Sequence, residues 1–232
     1  MRYAVIAAGE GSRLAQEGMT TPKPLVKIDG ECMIDRLVRI FVAAGASEVC
    51  VVCNPSSEAY IKSRQEAGAP LRSIVRTTPS SMHSMYELLP MLEGDEPFIL
   101  TTVDTVFLEQ EFMTYVDALE KAVADGEADG LMGVTSYIDD EKPLYVATDN
   151  HLRILGFLDA DANTRYISGG IYGLMPCALE TLRRCIARGE SRMRNFQRAL
   201  LADGLRLKAF PFSKVIDVDH ASDIAKAEAL VC

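Results

Sequence analysis

The sequence lacks a long apolar run and any excess of positive charge. No stretch of its 232 residues approaches the length of about 18 consecutive apolar residues that a transmembrane helix needs. The net charge of −9 argues against a broad nucleic-acid-binding surface, so any acidic ligand must be bound by a few local cations. The apolar run after Met1 and Arg2 is too short for the core of a signal peptide. We therefore expect a cytoplasmic protein that contacts neither membrane nor nucleic acid.

The cysteines give little support to a redox or zinc site. Of six cysteines, Cys50 and Cys53 have the spacing of such a motif. They fall in a segment that reads as a buried strand, in which positions three residues apart point to opposite faces. No second Cys pair or His pair at ligand spacing completes a metal site. We interpret the cysteines as apolar core thiols of a reducing compartment.

The arrangement of apolar segments predicts an α/β fold. Predicted strands at 2–8, 49–53, 72–76, 98–102 and 130–136 alternate with predicted helices at 33–44, 58–66, 84–92 and 109–125. This alternation is typical of a parallel sheet. There follow a hairpin (144–148 and 152–158), a strand at 166–174, helices at 177–187 and 193–202, strands at 205–210 and 214–218, and a helix at 221–231. With no linker or repeat, the chain is expected to form one domain, 1–232.

The first strand leads directly into residues suited to binding a polyphosphate. Gly9 and Gly11 let the backbone approach a bulky anion, and successive N–H groups in such a turn form an anion-binding nest. Arg13 offers a planar fork for phosphate oxygens. Lys23 lies between two prolines, which predicts a stiff and non-helical backbone there. A P-loop is not the explanation, because Gly-Lys-Ser/Thr is missing, and Leu14 stands where a dinucleotide fingerprint needs its third glycine.

Three acids are predicted at the same edge of the sheet. Asp104 follows the strand at 98–102, and Asp217 and Asp219 lie at the end of the last strand. Ligands of open α/β sheets bind beyond the carboxyl ends of the strands. Carboxylates beside a phosphate loop are natural Mg²⁺ ligands, because Mg²⁺ takes one or two carboxylates plus phosphate oxygens. The alternatives are helix caps for Asp104 and Asp219 and a solvated acid for Asp217.

These motifs resemble those of the sugar-phosphate nucleotidyltransferases. That family opens with a strand, the pattern A-A-G-x-G-[ST]-R-[LM] and a P-K-P-L segment, which stand here as AAGEGSRL at 7–14 and PKPL at 22–25. Asp104 matches the family's metal aspartate, and Asp217 and Asp219 match an acidic pair before the last helix. With the element pattern, the resemblance implies a single three-layer α/β domain with a mostly parallel mixed central sheet, of Rossmann-like type, plus a small antiparallel hairpin.

The resemblance also implies a reaction and a set of site residues. A nucleoside triphosphate and a phosphorylated acceptor would give a nucleoside-diphosphate product and pyrophosphate. Positioning and charge stabilisation matter most for such a reaction, which agrees with only three histidines. Arg13 and Lys23 would be catalytic, and Asp104, Asp217 and Asp219 would hold Mg²⁺. The nucleotide would contact Ala8, Gly9, Gly11, Ser12, Ser80, Ser81 and Ser84, and the acceptor would contact Gly169 and Gly170.

Departures from the family pattern leave the acceptor open. The Ser-Met-His-Ser form at 81–84 is more similar to the choline-phosphate cytidylyltransferase branch. The family's Glu-Lys-Pro segment does not follow the hairpin, and we interpret the same letters at 141–143 as coincidence. Arg192 and Arg194 are interpreted as a solvated helix start. A sugar 1-phosphate acceptor giving an NDP-sugar is the first hypothesis, and phosphocholine or another non-sugar phosphate is the second. A non-catalytic nucleotide sensor, and assembly into a homo-oligomer, also stay open.

Overall fold

A nine-stranded sheet organises the computed structural model, which describes residues 1–139 and 141–231. Cys232 therefore lies outside the described residues. The strands are β1 (Arg2–Ala7), β2 (Lys27–Ile28), β3 (Glu31–Cys32), β4 (Val49–Cys53), β5 (Leu71–Val75), β6 (Phe98–Thr102), β7 (Thr105–Phe107), β8 (Gly130–Thr135), β9 (Tyr145–Thr148), β10 (Ile154–Leu158), β11 (Tyr166–Leu174), β12 (Leu207–Phe212) and β13 (Val215–Asp217). The helices are α1 (Ser12–Gln16), α2 (Met33–Ala43), α3 (Pro55–Glu66), α4 (Ser81–Glu87), α5 (Leu89–Leu92), α6 (Glu109–Ala124), α7 (Ala178–Ala187), α8 (Met193–Ala202) and α9 (Ala221–Val231).

Most strands of the main sheet run in one direction. β5, β4, β1 and β6 are parallel neighbours. β11 is antiparallel to both β6 and β8, and β12 runs parallel to β8. The antiparallel hairpin of β9 and β10 pairs with the first residues of β11. The predicted mostly parallel mixed sheet with a small antiparallel hairpin is confirmed.

Helices cover both faces of this sheet, which explains the continuous apolar runs of its central strands. In β1, Tyr3 and Val5 pack into the core on one face, and Ala4 and Ile6 pack into the core on the other. The first core receives apolar residues of α2 and α6, and the second receives those of α4, α7 and α8. The three-layer prediction is therefore confirmed.

One edge of the sheet collects the segments that were singled out in the sequence. The parallel strands β1, β4 and β6 end at this edge, and β11 begins there because it runs in the opposite direction. The short strands β7 and β13 pair antiparallel at the same edge, with Asp217 opposite Thr105. This pairing brings the residues after β6 close to the residues before α9, although more than a hundred positions separate them in the chain.

Several boundaries differ from prediction for local reasons. The helix predicted at 84–92 begins earlier, because Ser80 caps it, and it divides into α4 and α5 near Pro90, which lacks a backbone N–H. Lys23 starts a single 3₁₀ turn, Lys23–Leu25, instead of non-helical backbone. β7 was not predicted, because its three residues are too few to show a period.

Aromatic rings support β7 from behind. Phe112 of α6 stacks on Phe41 and Phe107, with ring centroids 5.3 and 5.0 Å apart, and all three rings are fully buried. The buried Arg36 donates a 2.7 Å hydrogen bond to the carbonyl oxygen of Phe107. The segment that follows Asp104 is therefore fixed by packing and by a buried hydrogen bond.

Replacing Phe112 with Ala is expected to lower the free energy of unfolding by about 3–5 kcal/mol, because it opens a cavity among these rings. Equilibrium urea denaturation measures the loss. Leu155→Ala is the control, since Leu155 is 66% exposed and its removal should change stability by less than about 0.5 kcal/mol. A loss below about 1 kcal/mol for Phe112→Ala would contradict the packing described.

Candidate active site

The glycine turn after β1 lies against the lysine segment. Gly11 has φ of 64° and precedes α1, and a Cβ atom at this position would lie 3.0 Å from Cβ of Lys23. The carbonyl oxygen of Gly9 accepts a 3.0 Å hydrogen bond from Nδ2 of Asn54, at the end of β4. The turn is thus held from two sides, and a side chain at position 11 is disfavoured by both its backbone conformation and its contact with Lys23.

Lys23 joins two of the predicted acids. Its Nζ atom lies 2.5 Å from Oδ2 of Asp104 and 2.6 Å from Oδ1 of Asp219, and the side chain is only 9% exposed. Burial acts to lower the pKa of Lys23, but the two carboxylates together raise the pKa above its ordinary value. Burial also acts to raise the pKa of Asp104, yet Lys23 outweighs it and holds that pKa below its usual value. Lys23 and Asp104 are therefore both charged at neutral pH.

Arg13 adds a second cation to Asp219. Its guanidinium lies 2.5 Å from Oδ2 of Asp219. The backbone N–H groups of Asp219 and His220 both donate to Oδ2 of Asp223, at 3.2 and 2.8 Å, which fixes the turn before α9. The carboxylate of Asp219 is therefore aimed at the two cations, and the first N–H group of α9, that of Ala221, donates instead to Oε2 of Glu17 at 2.7 Å.

Asp104 has an oxygen available for a metal ion. Its Oδ1 atom is fully buried and has no hydrogen-bond partner within the described residues. A carboxylate oxygen in this position suits Mg²⁺, which prefers oxygen ligands and keeps waters or phosphate oxygens as its other ligands. Across residues 1–139 and 141–231, no three His, Cys, Asp or Glu side chains are grouped as a ready-made metal site. The residues therefore fit an ion that a bound phosphate helps to hold.

A cavity of about 470 Å³ opens between the glycine turn and α4. It is lined by most residues that were predicted to contact the nucleotide: Gly9, Gly11, Ser12, Ser80, Ser81 and Ser84, together with Arg13, Lys23, Asp104 and Asp219. Ala8 does not line it, because its side chain is buried in the core and only its backbone remains for a ligand. Thr78 and Thr102 also line the cavity. Neither threonine was predicted as a site residue; Thr78 lies just before the predicted serines, and Thr102 ends β6.

A second cavity, of about 440 Å³, adjoins the first. The two share Arg13, Ser81, Thr102 and Asp219 in their walls. Gly170 and Asp217 line the second cavity, whereas Gly169 lines a smaller neighbouring one. The two glycines form a bulge in β11, where the register with β8 shifts. Gly170 has φ of 71°, and a Cβ atom at this position would lie 3.0 Å from Oγ1 of Thr105.

Three cations that we interpreted differently from the sequence line this second cavity. Lys142, Arg192 and Arg194 all lie in its wall. Arg194 donates to the carbonyl oxygen of Lys142 at 3.0 Å and pairs with Asp159 at 2.7 Å, so it ties α8 to both ends of the hairpin. Arg192 has φ of 76°, a strained conformation for a residue with a side chain. Arg192 is exposed and directly precedes α8, as interpreted from the sequence. The convergence of the three cations could not be predicted, because it depends on how the hairpin folds onto α8.

Two threonine hydroxyl groups connect the end of β6 with Asp217. Thr102 Oγ1 and Thr105 Oγ1 are 2.7 Å apart, and Thr105 Oγ1 donates to Oδ1 of Asp217 at 3.4 Å. Burial and then the charge of Asp217 raise the pKa of Tyr172, which lines the second cavity. Asp217 is therefore oriented toward the second cavity, while Asp104 and Lys23 face the first.

The wall between the cavities carries the groups that nucleotidyl transfer requires for positioning and charge stabilisation. Fold and site together place the chain among the nucleotidyltransferases. MobA-like NTP transferase domains match residues 3–167, and the chain belongs to this family. The resemblance stated from the sequence is thereby confirmed. No helix in the described residues has the length and apolar character to cross a bilayer.

Curated relatives include a cytidylyltransferase and a CMP-phosphonate synthase. The chain is 31% identical over 97 residues to a 2-aminoethylphosphonate cytidylyltransferase of Lancefieldella rimae, covering 41% of the chain and 39% of the relative. It is 25% identical over 159 residues to a CMP-5'-(3-aminopropyl)phosphonate synthase of Streptomyces rubellomurinus, covering 61% and 25%. The chain thus spans well under half the length of either relative.

The inositol-1-phosphate CTP transferase of T. maritima has the same fold. Its solved structure superposes with a TM-score of 0.79 at 19% identity, covering 100% of this chain and 98% of that one. At this identity, the likeness concerns the fold alone.

Replacing Gly11 with Ala is expected to weaken nucleotide binding by roughly 10-fold, because the new methyl group meets Lys23. Gly18→Ala is a matched control: Gly18 has φ of 90°, but a Cβ there meets nothing within 4 Å. Both variants should lose about 1–2 kcal/mol of stability through backbone strain. Isothermal titration with CTP separates the two effects, and equal affinities in both variants would contradict the packing role of Gly11.

Proposed function

We propose that the chain transfers a nucleoside monophosphate from an NTP to a phosphate or phosphonate oxygen of a small acceptor, with release of pyrophosphate. The observation that carries this proposal is the shared wall of the two cavities, where Arg13, Thr102 and Asp219 face both. An NTP in the first cavity and an anionic acceptor in the second would meet at this wall. The acceptor oxygen forms the new bond to the α-phosphorus as the bond to pyrophosphate breaks.

The chain's own residues supply positioning and positive charge in this scheme. The glycine turn and Ser12 bind the triphosphate through backbone and hydroxyl groups, while Ser80, Ser81 and Ser84 contact the nucleoside. Lys23 and Arg13 neutralise the charge that develops on the phosphate oxygens. No residue needs to form a covalent intermediate, because the acceptor is already an anionic nucleophile.

Asp104 and Asp219 would hold Mg²⁺, with Asp217 as a further acid toward the acceptor. The ion would supply charge neutralisation on the phosphate oxygens. The buried and unpartnered Oδ1 atom of Asp104 supports this assignment. Lys23 contacts both carboxylates, so the same acids also orient the lysine.

CTP and an aminoalkylphosphonate or similar small phosphate form the first pair to test. The names of the two curated relatives support this choice. The wall of the second cavity supports it too, because it combines Lys142, Arg192 and Arg194 for an acidic group with Asp217 for a basic one. A sugar 1-phosphate, giving an NDP-sugar, is the second candidate, since Ser168, Gln197 and Asp217 in the same wall suit hydroxyl groups.

Pyrophosphate release from each of four NTPs, with Mg²⁺ and a panel of acceptors, tests the proposal. The panel holds 2-aminoethylphosphonate, phosphocholine, inositol 1-phosphate and glucose 1-phosphate. We expect turnover with CTP and at least one acceptor, and its loss on chelation of Mg²⁺. Nucleotide binding without turnover for any pair would overturn transfer and favour a nucleotide sensor.

Lys23→Ala and Asp104→Asn are each expected to lower kcat at least ~100-fold, because each removes a preorganised charge from the transition state. Lys62→Ala and Asp117→Asn are controls on exposed helical surface and should keep normal rates. Steady-state kinetics with circular dichroism checks both activity and folding. Near-normal kcat in either site variant would remove that residue from the mechanism.

Arg192→Ala is expected to raise KM for the acceptor roughly 10- to 100-fold and to leave KM for the NTP unchanged, since a charge-assisted contact to the acceptor is lost. Arg188→Ala is the matched control, because Arg188 pairs with Glu190 and lines neither cavity. Initial rates at saturating NTP measure the effect. A change confined to KM for the NTP would instead show that Arg192 contributes to binding the NTP.

A further inference from the structure

A buried glutamine lies in the wall of the second cavity. Gln197 is only 2% exposed and lies on the inward face of α8, beside the apolar residues Met193, Phe196 and Leu200. Polar side chains are rarely buried on such a face without a partner or a role. Gln197 also lines the cavity, which none of Phe196, Ala199 and Leu200 does.

The hydrogen bonds of Gln197 leave part of its amide unused. Oγ of Ser168 donates to Oε1 of Gln197 at 3.1 Å. The nitrogen Nε2 has no hydrogen bond to any residue of the described chain. Within the described residues, the side-chain atoms that are both fully buried and without a partner are Thr101 Oγ1, Asp104 Oδ1 and Thr164 Oγ1. Nε2 of Gln197 is not among them, so this atom is not fully buried and can be reached from the cavity. Since amide orientation follows from the hydrogen-bond network, a rotated amide would present its oxygen there instead.

Ser168 is held where it can orient this amide. It lies directly before the Gly169–Gly170 bulge, and its backbone N–H donates to the carbonyl oxygen of Leu144 at 2.8 Å. Arg192 directly precedes α8, and Gln197 is the fifth residue of that helix, a little over one turn from its start. The wall of the cavity thus has cations at the start of the helix and a neutral hydrogen-bonding pair further along it.

We propose that Gln197, oriented by Ser168, is a specificity-determining residue that binds the polar end of the acceptor, opposite the end that reacts. Because Arg192 and Gln197 line the same cavity, the acceptor would carry a hydroxyl or ammonium group in addition to its phosphate or phosphonate. A hydroxyl would pair with the amide nitrogen, and an ammonium would pair with the amide oxygen. This inference rests on the proposed function, and it specifies which part of the acceptor determines substrate specificity.

Three phosphonates that differ in one group test this role. Values of kcat/KM are compared for 2-aminoethylphosphonate, 2-hydroxyethylphosphonate and ethylphosphonate, with CTP as donor. The wild-type protein should use the better of the two polar compounds at least ~10-fold more efficiently than ethylphosphonate, because the amide is otherwise left unpaired. Gln197→Met, of similar shape, should bring this ratio close to one, with the thermal midpoint and KM for CTP little changed.

Gln65→Met provides a matched glutamine control, because Gln65 donates to the carbonyl oxygen of Leu71, far from the cavity in the fold. It should keep the wild-type ratio. Ser168→Ala is a second variant that does not alter α8, and it should lower the ratio several-fold. A wild-type protein without preference, or an unchanged ratio in a folded Gln197→Met or Ser168→Ala variant, would overturn the inference. Absence of turnover with every NTP and acceptor would instead overturn the proposed function.

Discussion

The ion pairs of Lys23 with Asp104 and Asp219 are the constraint on which the site depends. A buried ammonium is stable only when opposite charges replace the water that it loses, and the two carboxylates do so here. The same contact joins three distant parts of the chain: the segment after the glycine turn, the end of β6 and the turn before α9. The sheet determines where these segments meet, and the lysine determines how closely they approach.

Support for this contact comes from structure that takes no part in binding. Arg36 and the ring of Phe112 hold the segment after Asp104 from behind. On the other side, Asp223 accepts two backbone N–H groups of the turn that carries Asp219. The carboxylates of Asp104 and Asp219 therefore lie on backbone that packing and hydrogen bonds keep in place, which is the preorganisation that the proposed charge stabilisation requires.

Much of this could be predicted from the sequence, and the remainder depends on contacts that no local pattern records. β4, β6, β11, α8 and α9 match prediction closely, since their apolar periods are long and their boundaries are marked by turn residues. The convergence of residues at the first cavity could be predicted, because these residues follow strand ends and the sheet gathers those ends. The acceptor side could not, because Lys142 and Arg194 meet through the fold of a hairpin onto a helix. In the sequence, Gln197 is only one polar residue on an otherwise apolar helix face. Such a residue is easily taken for a substitution that the core accommodates without a functional role.

The position of Asp219 affects when the site becomes complete during synthesis. The glycine turn and Lys23 are made first, but their acidic partner follows almost two hundred residues later. A nascent chain that has formed β1, β4 and β6 still lacks the carboxylate opposite Lys23 and Arg13. The turn that precedes α9 must therefore be synthesised before the first cavity can form completely. Chains truncated before this turn contain the glycine motif but lack the carboxylate that contacts Lys23 and Arg13.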